Sequence, residues 1–353
     1  MTRSLKVTLK FANTNKQTQV DGLWVIYRQA VQNFLNRLYT QQDISESYLK
    51  DYNTMLSYRY KQCAKRQALS IFNAWSHRKK KKNKPTLRTP SMTLDCRFID
   101  VQRSSNSVFD YWVKIATLVK GHPILLPFKS YGYLNQYLND WQLVRGGKLT
   151  KHNNQWFLTL TFKQETPEIK QEGKTVGLDI GYRKLAVTSE GQIIGQNLKE
   201  LINKADQKEQ GSNGYYRSKS EIKNYINREL KGVFTDDLQC LVVEDLKGLK
   251  KNKRGQWSRT VNRRFNFWLY GYSLNRLNQL SENYGVHNPS VVAKYTSQSC
   301  SICGYIDKLN RNGEYFKCLQ CGHQSDADFN ASINIRNRFT HQHIVGVIPK
   351  PFL

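Results

Sequence analysis

The sequence predicts a multidomain α+β chain: a β-barrel with a helical insertion, followed by an α/β domain carrying an inserted metal ribbon. Three observations predict it. Apolar residues recur at helical spacing from about 20 to 76, then give way to short alternating runs broken by turns from 91 to 166. From 175 onward short apolar strands alternate with longer polar helical stretches. Four of the seven cysteines fall in two tight pairs after residue 299.

The elements follow in order. Residues 5–11 alternate apolar and polar and predict a strand. Leu23, Tyr27, Ala30, Val31, Phe34, Leu35 and Leu38 mark one helical face, and Leu49, Tyr52, Leu56, Tyr60 and Cys63 carry the pattern through 46–76. Together they predict a helical hairpin. It ends in the run 77–84, whose close positive charges repel one another and predict a loop, with Pro85 and Pro90 behind it. Residues 91–95, 112–116, 141–145 and 156–162 predict strands, with Gly146-Gly147 and Asn153-Asn154 as turns. The first strand rejoins these, which makes the helices an insertion in a barrel. Residues 164–174 read as a linker. Beyond it, 175–180, 185–189 and 192–195 predict three strands, and 197–230 a helical stretch interrupted at Gly211 and Gly214. A buried strand at 238–243, a helix at 258–284, a strand at 291–295 and a last helix from about 326 to 338 complete the chain.

Lys and Arg total 55 against 27 Asp and Glu, a net charge of +28. So one-sided a surface predicts a polyanionic partner, nucleic acid before any other; a surface serving solubility alone would interleave the two signs. An anionic membrane is the rival, but no run of about 18 apolar residues could span a bilayer. No apolar stretch follows Arg3 and Lys6, so no signal peptide is expected. The odd cysteine count argues against a disulfide framework and for a reducing, cytoplasmic compartment.

Two constellations carry chemistry. Cys300 and Cys303 are separated by fourteen residues from Cys318 and Cys321. Each CxxC turn sets two thiolates about 4 Å apart, and two such turns complete a tetrahedral S₄ site suited to Zn²⁺. Four protein ligands leave no open position, so this zinc is structural. Gly304 and Gly322 let the backbone turn closely around sulfur. The second constellation is acidic. Asp179 lies in an apolar strand beside Gly181, which removes bulk where a phosphate backbone could approach. A buried carboxylate there must be paired or bind a cation. Glu244 ends the apolar run 241–243, and Asp245 next to it should face the other way. Asp328 opens the last helix, where it, or Asp326, could simply cap the helix. Together the three acids can converge on one end of a sheet and hold two Mg²⁺ roughly 4 Å apart, suited to phosphodiester hydrolysis.

These residues resemble a known family. Gly177-Leu-Asp-Ile-Gly181 with Leu185-Ala186, Val243-Glu-Asp-Leu246, Tyr295-Thr-Ser-Gln-Ser-Cys-Ser-Ile-Cys-Gly304, Cys318-Leu-Gln-Cys-Gly-His323 and Asp326-Ala-Asp-Phe-Asn-Ala-Ser-Ile-Asn-Ile335 are similar to the motifs of TnpB. TnpB proteins are transposon-encoded, RNA-guided DNA endonucleases related to compact type V CRISPR effectors. The likeness covers about 175–337; the N-terminal half agrees in layout. It implies a RuvC-like nuclease of RNase H fold over 173–295 and 326–340, a zinc ribbon over 296–325 and a tail over 341–353. It also implies a wedge-like barrel over 1–15 and 86–166, with a recognition-like helical insertion over 16–85. Asp179, Glu244 and Asp328, the last in preference to Asp326, become the catalytic Mg²⁺ ligands. Asn330 supports the third acid, and Arg311 lies near the scissile phosphate. The implied partners are an ωRNA-like guide and target DNA, bound by a monomer or dimer in a prokaryotic cytoplasm and on the nucleoid when engaged. Basic contacts are expected at Arg78, Lys79, Lys80, Lys81 and Lys82, and at Arg217, Lys223 and Arg228 between the first two acids. Two alternatives stand beside this: a miniature type V CRISPR effector, and a zinc-ribbon DNA-binding regulator without cleavage.

Overall fold

The computed structural model describes residues 1–78, 83–105, 107–246, 258, 263 and 267–345, without the side chains of 342–345. It divides into two compact units, Met1–Glu165 and Thr166–Leu353.

The first unit runs β1 (Thr2–Thr8), α1 (Thr14–Tyr39), α2 (Glu46–Asp51), α3 (Tyr58–Ser76), β2 (Ser91–Leu94), β3 (Ile99–Arg103), β4 (Tyr111–Ile115), β5 (Ile124–Phe128), α4 (Gly132–Asp140), β6 (Gln142–His152) and β7 (Gln155–Lys163). The expected first strand does rejoin the later ones. β1 pairs along β7 from Thr2↔Lys163 to Thr8↔Phe157, so it starts three residues earlier than alternation suggested. The β6–β7 hairpin turns on Asn153 and Asn154, both at positive φ. That is the left-handed pair a two-residue turn needs, and asparagine tolerates it. All pairings are antiparallel, within the orders β1-β7-β6-β2 and β3-β4-β5. The helical stretch 46–76 breaks in two, because Ser45 and Ser57 each cap a new start, accepting from Tyr48 and Tyr60 N–H at 3.1 and 3.4 Å. β3, β5 and α4 lacked a clear period and were not expected. The core beneath them is aromatic: Tyr27, Phe34, Tyr60, Phe128, Trp156 and Phe162 are buried.

The second unit holds a five-stranded sheet flanked by helices. Its strands are β8 (Lys174–Ile180), β9 (Ala186–Thr188), β10 (Ile193–Ile194), β11 (Leu238–Asp245) and β12 (Ser290–Val292), in the order β10-β9-β8-β11-β12. β8, β9 and β10 are antiparallel neighbours, whereas β11 runs parallel to both β8 and β12. Alternation sorts the two central strands by face. Val176, Leu178, Ile180, Leu241 and Val243 pack with α5 (Leu198–Asp206), α6 (Asn213–Glu229) and α7 (Tyr270–Tyr284) in the larger core. Cys240, Val242 and Val291 face Ile335 of α8 (Ala327–Val345). The expected helix 258–284 is described as α7 only from Tyr270; Phe265, with 259–262, 264 and 266, lies outside the described residues. Between β12 and α8 lies the ribbon, a small sheet of β13 (Arg311–Asn312), β14 (Tyr315–Lys317) and β15 (Gln324–Asp326). Among the described residues no helix is long and apolar enough to cross a membrane.

One glycine sets the spacing of the second unit. A Cβ on Gly177 would stand 2.1 Å from Ser332 O and 2.6 Å from Arg336 N, so α8 lies with its backbone against β8. Gly181 has a more local reason than the phosphate approach expected of it: a Cβ would meet Lys184 O at 2.9 Å. Two glycine replacements should therefore have opposite signs. Gly177→Ala should lower stability to urea by about 1–3 kcal/mol through overpacking. Gly22→Ala, in the middle of α1 with nothing within 4 Å of the new methyl, should raise it by roughly 0.5–1 kcal/mol. Equal shifts from the two would remove Gly177 as the contact that seats α8.

Candidate active site

The register brings the first two acids together. Val243 pairs with Leu178, so the next step along these parallel strands sets Glu244 beside Asp179, both on the face opposite the larger core. Asp328 reaches them from the helix. Gly177 touches α8 at Ser332. Two strand residues advance about 6.6 Å and four helical residues about 6 Å, so Asp179 faces the helix near Asp328. All three line one cleft of about 500 Å³, with Trp268, Thr296, Arg311 and Glu314 also on its walls. Asp245 is exposed, on the opposite face as expected.

The ambiguity at the helix start resolves by hydrogen bonding. Asp326 is the cap: its Oδ1 accepts from Asp328 N and Phe329 N, both at 3.0 Å. Its other oxygen takes Lys184 Nζ at 2.9 Å. Asp328 is thereby left for the cleft, where its Oδ1 accepts from Arg311 Nη2 at 2.8 Å.

The carboxylates differ in how they are held. Glu244 accepts from the Thr296 hydroxyl, and its carbonyl takes the Tyr270 hydroxyl at 2.6 Å. Asp179 accepts no hydrogen bond from any described residue. Burial first, then the charges of Glu244 and Asp328, push its carboxyl up to about 8 from an ordinary 3.8, with Arg311 opposing. Burial likewise raises Glu244, against the Thr296 hydrogen bond and the charges of Arg338 and Arg311. A carboxyl with no partner among the described residues, pressed by the charges of Glu244, Asp328 and Asp326, belongs to a donor set that a divalent cation would satisfy.

The cysteines come together as expected. Their sulfurs all lie within 4.8 Å of one another, the one such His/Cys/Asp/Glu cluster among the described residues. Cys300 Sγ is 3.7 Å from Cys321 Sγ, and Cys303 Sγ is 3.5 Å from Cys318 Sγ, near the roughly 3.8 Å edge of a tetrahedron with 2.3 Å zinc–sulfur bonds. The two turns match. Gly304 N donates to Cys300 O and Gly322 N to Cys318 O, each at 3.0 Å, with the glycines at φ +76° and +75°. The set could bind a zinc ion.

Asn330 works at a different place from the one expected. Its amide spans the ribbon, donating to Ser299 O at 2.8 Å and accepting from Ser301 N at 2.9 Å, rather than contacting Asp328. Asn334, one turn on, donates to Thr296 O and Ser299 O at 2.9 and 2.7 Å. Neither Asn334 nor Thr296 was assigned a role from sequence, although both lie in the family-like motifs; Asn330 and Asn334 at i and i+4 on one helix face were the available signal. Arg78 borders a basic cleft of the first unit with Arg66, Lys84, Arg88 and Lys148. Arg217 and Arg228 line the groove of α5 and α6, and Lys223 lies over the Tyr272 ring. Lys79, Lys80, Lys81 and Lys82 lie outside the described residues.

The family model "Cas12f1-like, TNB domain" matches residues 270–335. The chain is 41% identical over 69 residues to CRISPR-associated endodeoxyribonuclease Cas12f1 of Sulfoacidibacillus thermotolerans, 19% of this chain and 16% of that one. It is 36% identical over 105 residues to a TnpB-like protein of Aquifex aeolicus (strain VF5), 29% of this chain and 34% of that one. These matches span well under two thirds of either relative. With the protein named "Putative RNA-guided DNA endonuclease InsQ" of Escherichia coli (strain K12), it shares 25% identity over 276 residues, 66% of each chain. The cryo-EM structure of a Cas12f1-sgRNA-target DNA complex has the same fold, with TM-score 0.57 and 14% identity over 96% of this chain and 99% of that one. By these matches the chain is similar to TnpB-like proteins and to Cas12f1.

Proposed function

We propose that the chain is an RNA-guided, metal-dependent DNA endonuclease encoded by a transposable element, cutting DNA beside a short adjacent motif. The observation that carries the reading is the convergence of Asp179, Glu244 and Asp328 on one cleft together with Arg311. The mixed sheet with acids at the ends of its two central strands supports a RuvC-like, RNase H fold nuclease, and the cysteine set supports a structural Zn²⁺. The naming of InsQ supports the guided reaction. In this reading the first unit is the wedge-like barrel with its recognition insertion. Its basic clefts hold guide RNA and DNA, while base pairing supplies the sequence choice.

Asp179, Glu244 and Asp328 would hold the catalytic Mg²⁺. Bound there, Mg²⁺ supplies an activated water and neutralises charge developing on the phosphate and its leaving oxygen. The chain's own residues set the stage. Arg311 keeps Asp328 in place through Nη2, and its planar fork is suited to a phosphate in the same cleft. Arg183, half exposed and paired with Glu314 at 2.9 Å, adds positive charge beside it. The excess of basic residues keeps a polyanion next to acids that would otherwise repel it.

The direct test is to purify the chain with its co-bound RNA and sequence that RNA. One discrete species is expected; a random population would end the guided reading. Alanine at Asp179, Glu244 or Asp328 should slow Mg²⁺-dependent cleavage at least roughly 100-fold, the equivalent of about 2.7 kcal/mol or more of lost charge stabilisation, with RNA binding unchanged. Stability should also depend on pH in a defined sense. Asp179 keeps its proton in the folded state up to about 8 but loses it near 3.8 when unfolded. The unfolded chain therefore binds fewer protons across that range, and stability falls as pH rises through it. Without divalent cations, Asp179→Asn should unfold at higher urea than the parent at pH 8, the gap closing towards pH 4. Matching midpoints at pH 8 would show that Asp179 is not held protonated.

A further inference from the structure

The reaction proposed above needs Glu244 aimed into the cleft, and a glutamate has three free torsions with which to leave it. Its main chain is fixed by pairing to Val291 and by the Tyr270 hydroxyl, but neither constrains the carboxylate. Among the described residues one side chain donates to that carboxylate: the hydroxyl of Thr296. Thr296 is 2% exposed. Its carbonyl is held by Asn334 Nδ2 at 2.9 Å, and its hydroxyl also lies 2.9 Å from Ala293 O. A β-branched residue tied at both ends has little rotamer freedom left. It stands four residues before Cys300, so the ribbon fixes its backbone as well.

We infer that Thr296 is a positioning residue, which orients the Glu244 carboxylate toward the cation shared with Asp179 and Asp328. The inference rests on the cation-binding reading of the three acids. A hydrogen bond to a charged acceptor is about twice as strong as a neutral one, so the single hydroxyl proton favours Glu244 over Ala293 O once the carboxylate is ionised. Thr296 thus settles in advance part of the side-chain ordering that the cation would otherwise have to impose. Its β-methyl packs but donates nothing, so the hydroxyl and the methyl can be tested apart.

The test is Mn²⁺ binding to the intact chain, followed by electron paramagnetic resonance and calorimetry with the zinc content of each variant measured alongside. Thr296→Val keeps the shape and removes the hydroxyl; it should weaken Mn²⁺ binding about tenfold with zinc content unchanged. Thr296→Ser restores the hydroxyl and should bind within about twofold of the parent. Asp179→Ala reports on the acid site itself. If Asp179→Ala weakens binding and Thr296→Val does not, the positioning role is wrong and the cation site stands. If the serine variant is as weak as the valine variant, packing is responsible and the role is again wrong. If Asp179→Ala leaves Mn²⁺ binding unchanged, the acids do not hold the cation and both readings fall.

Discussion

A helix can rest its backbone on a strand only where the strand has no side chain in the way, and in the second unit that place is Gly177. With Ser332 O and Arg336 N too near to admit even a methyl group, α8 is seated at one height along β8. Everything that matters in the cleft follows from that height. One turn back along the helix, Asp328 comes opposite Asp179. On the side away from the sheet, Asn330 and Asn334 reach the carbonyls of Ser299 and Thr296. Those two amides fix the segment that carries both Thr296 and Cys300. A helix seated even a fraction of a turn away would break the acid cluster and its link to the ribbon together.

The cluster is electrostatically awkward, and its surroundings offset this unevenly. Asp326 is neutralised by Lys184 and by two backbone N–H groups at the helix start. Asp328 has Arg311, and Glu244 has a hydroxyl with Arg338 and Arg311 at longer range. Asp179, the most central, has no hydrogen-bond partner among the described residues and takes the full effect of its neighbours. An acid cluster evolved only for stability would be expected to satisfy its central member first, because that is where an unpaired charge is most costly. Leaving it bare while satisfying the periphery is the arrangement of a site whose central partner comes from outside the chain. The same argument separates Asp328 from Asp326: the acid already committed to the helix and to a lysine is not available to bind anything else.

Much of this was legible in the sequence, for identifiable reasons. The CxxC pairs are local chemistry, and four thiols at that spacing have few other uses. Asp179 and Glu244 stand out because a charge breaks an apolar run, and strand period alone places Asp245 on the other face. The α5–α6 interruption was marked by Gly211, whereas Gly214 falls inside α6, and the β6–β7 turn was marked by Asn153-Asn154. What was hidden depends on long-range geometry. The break between α2 and α3 rests on the Ser57 cap inside a continuous helical pattern. The elements β3, β5 and α4 are short, and their burial is set by partners far away in the chain. Gly177 and Gly181 looked alike in one motif, yet one seats a helix and the other closes a local turn. The choice between Asp326 and Asp328 could not be made from spacing, since both lie within capping distance of the helix start; the resemblance favoured Asp328, and the hydrogen bonds give the physical reason.

The position of the ribbon in the chain makes physical sense once its core is counted. Cys300, Phe316, Cys318 and Ala327 are its buried cluster, and two of the four belong to the four-cysteine set. So small a core does not hold three short strands by hydrophobic burial alone, and a metal held by the four sulfurs would close it. The ribbon is also inserted between β12 and α8, where its two ends already lie against the acids. Thr296, at its entry, bonds Glu244, while Arg311, on its first strand, bonds Asp328. Metal bound by the four sulfurs would therefore rigidify the two side chains that orient two of the three carboxylates, some distance from any sulfur. A module with no open coordination position can still govern the chemistry next to it, because the geometry it stabilises is the geometry the acids need.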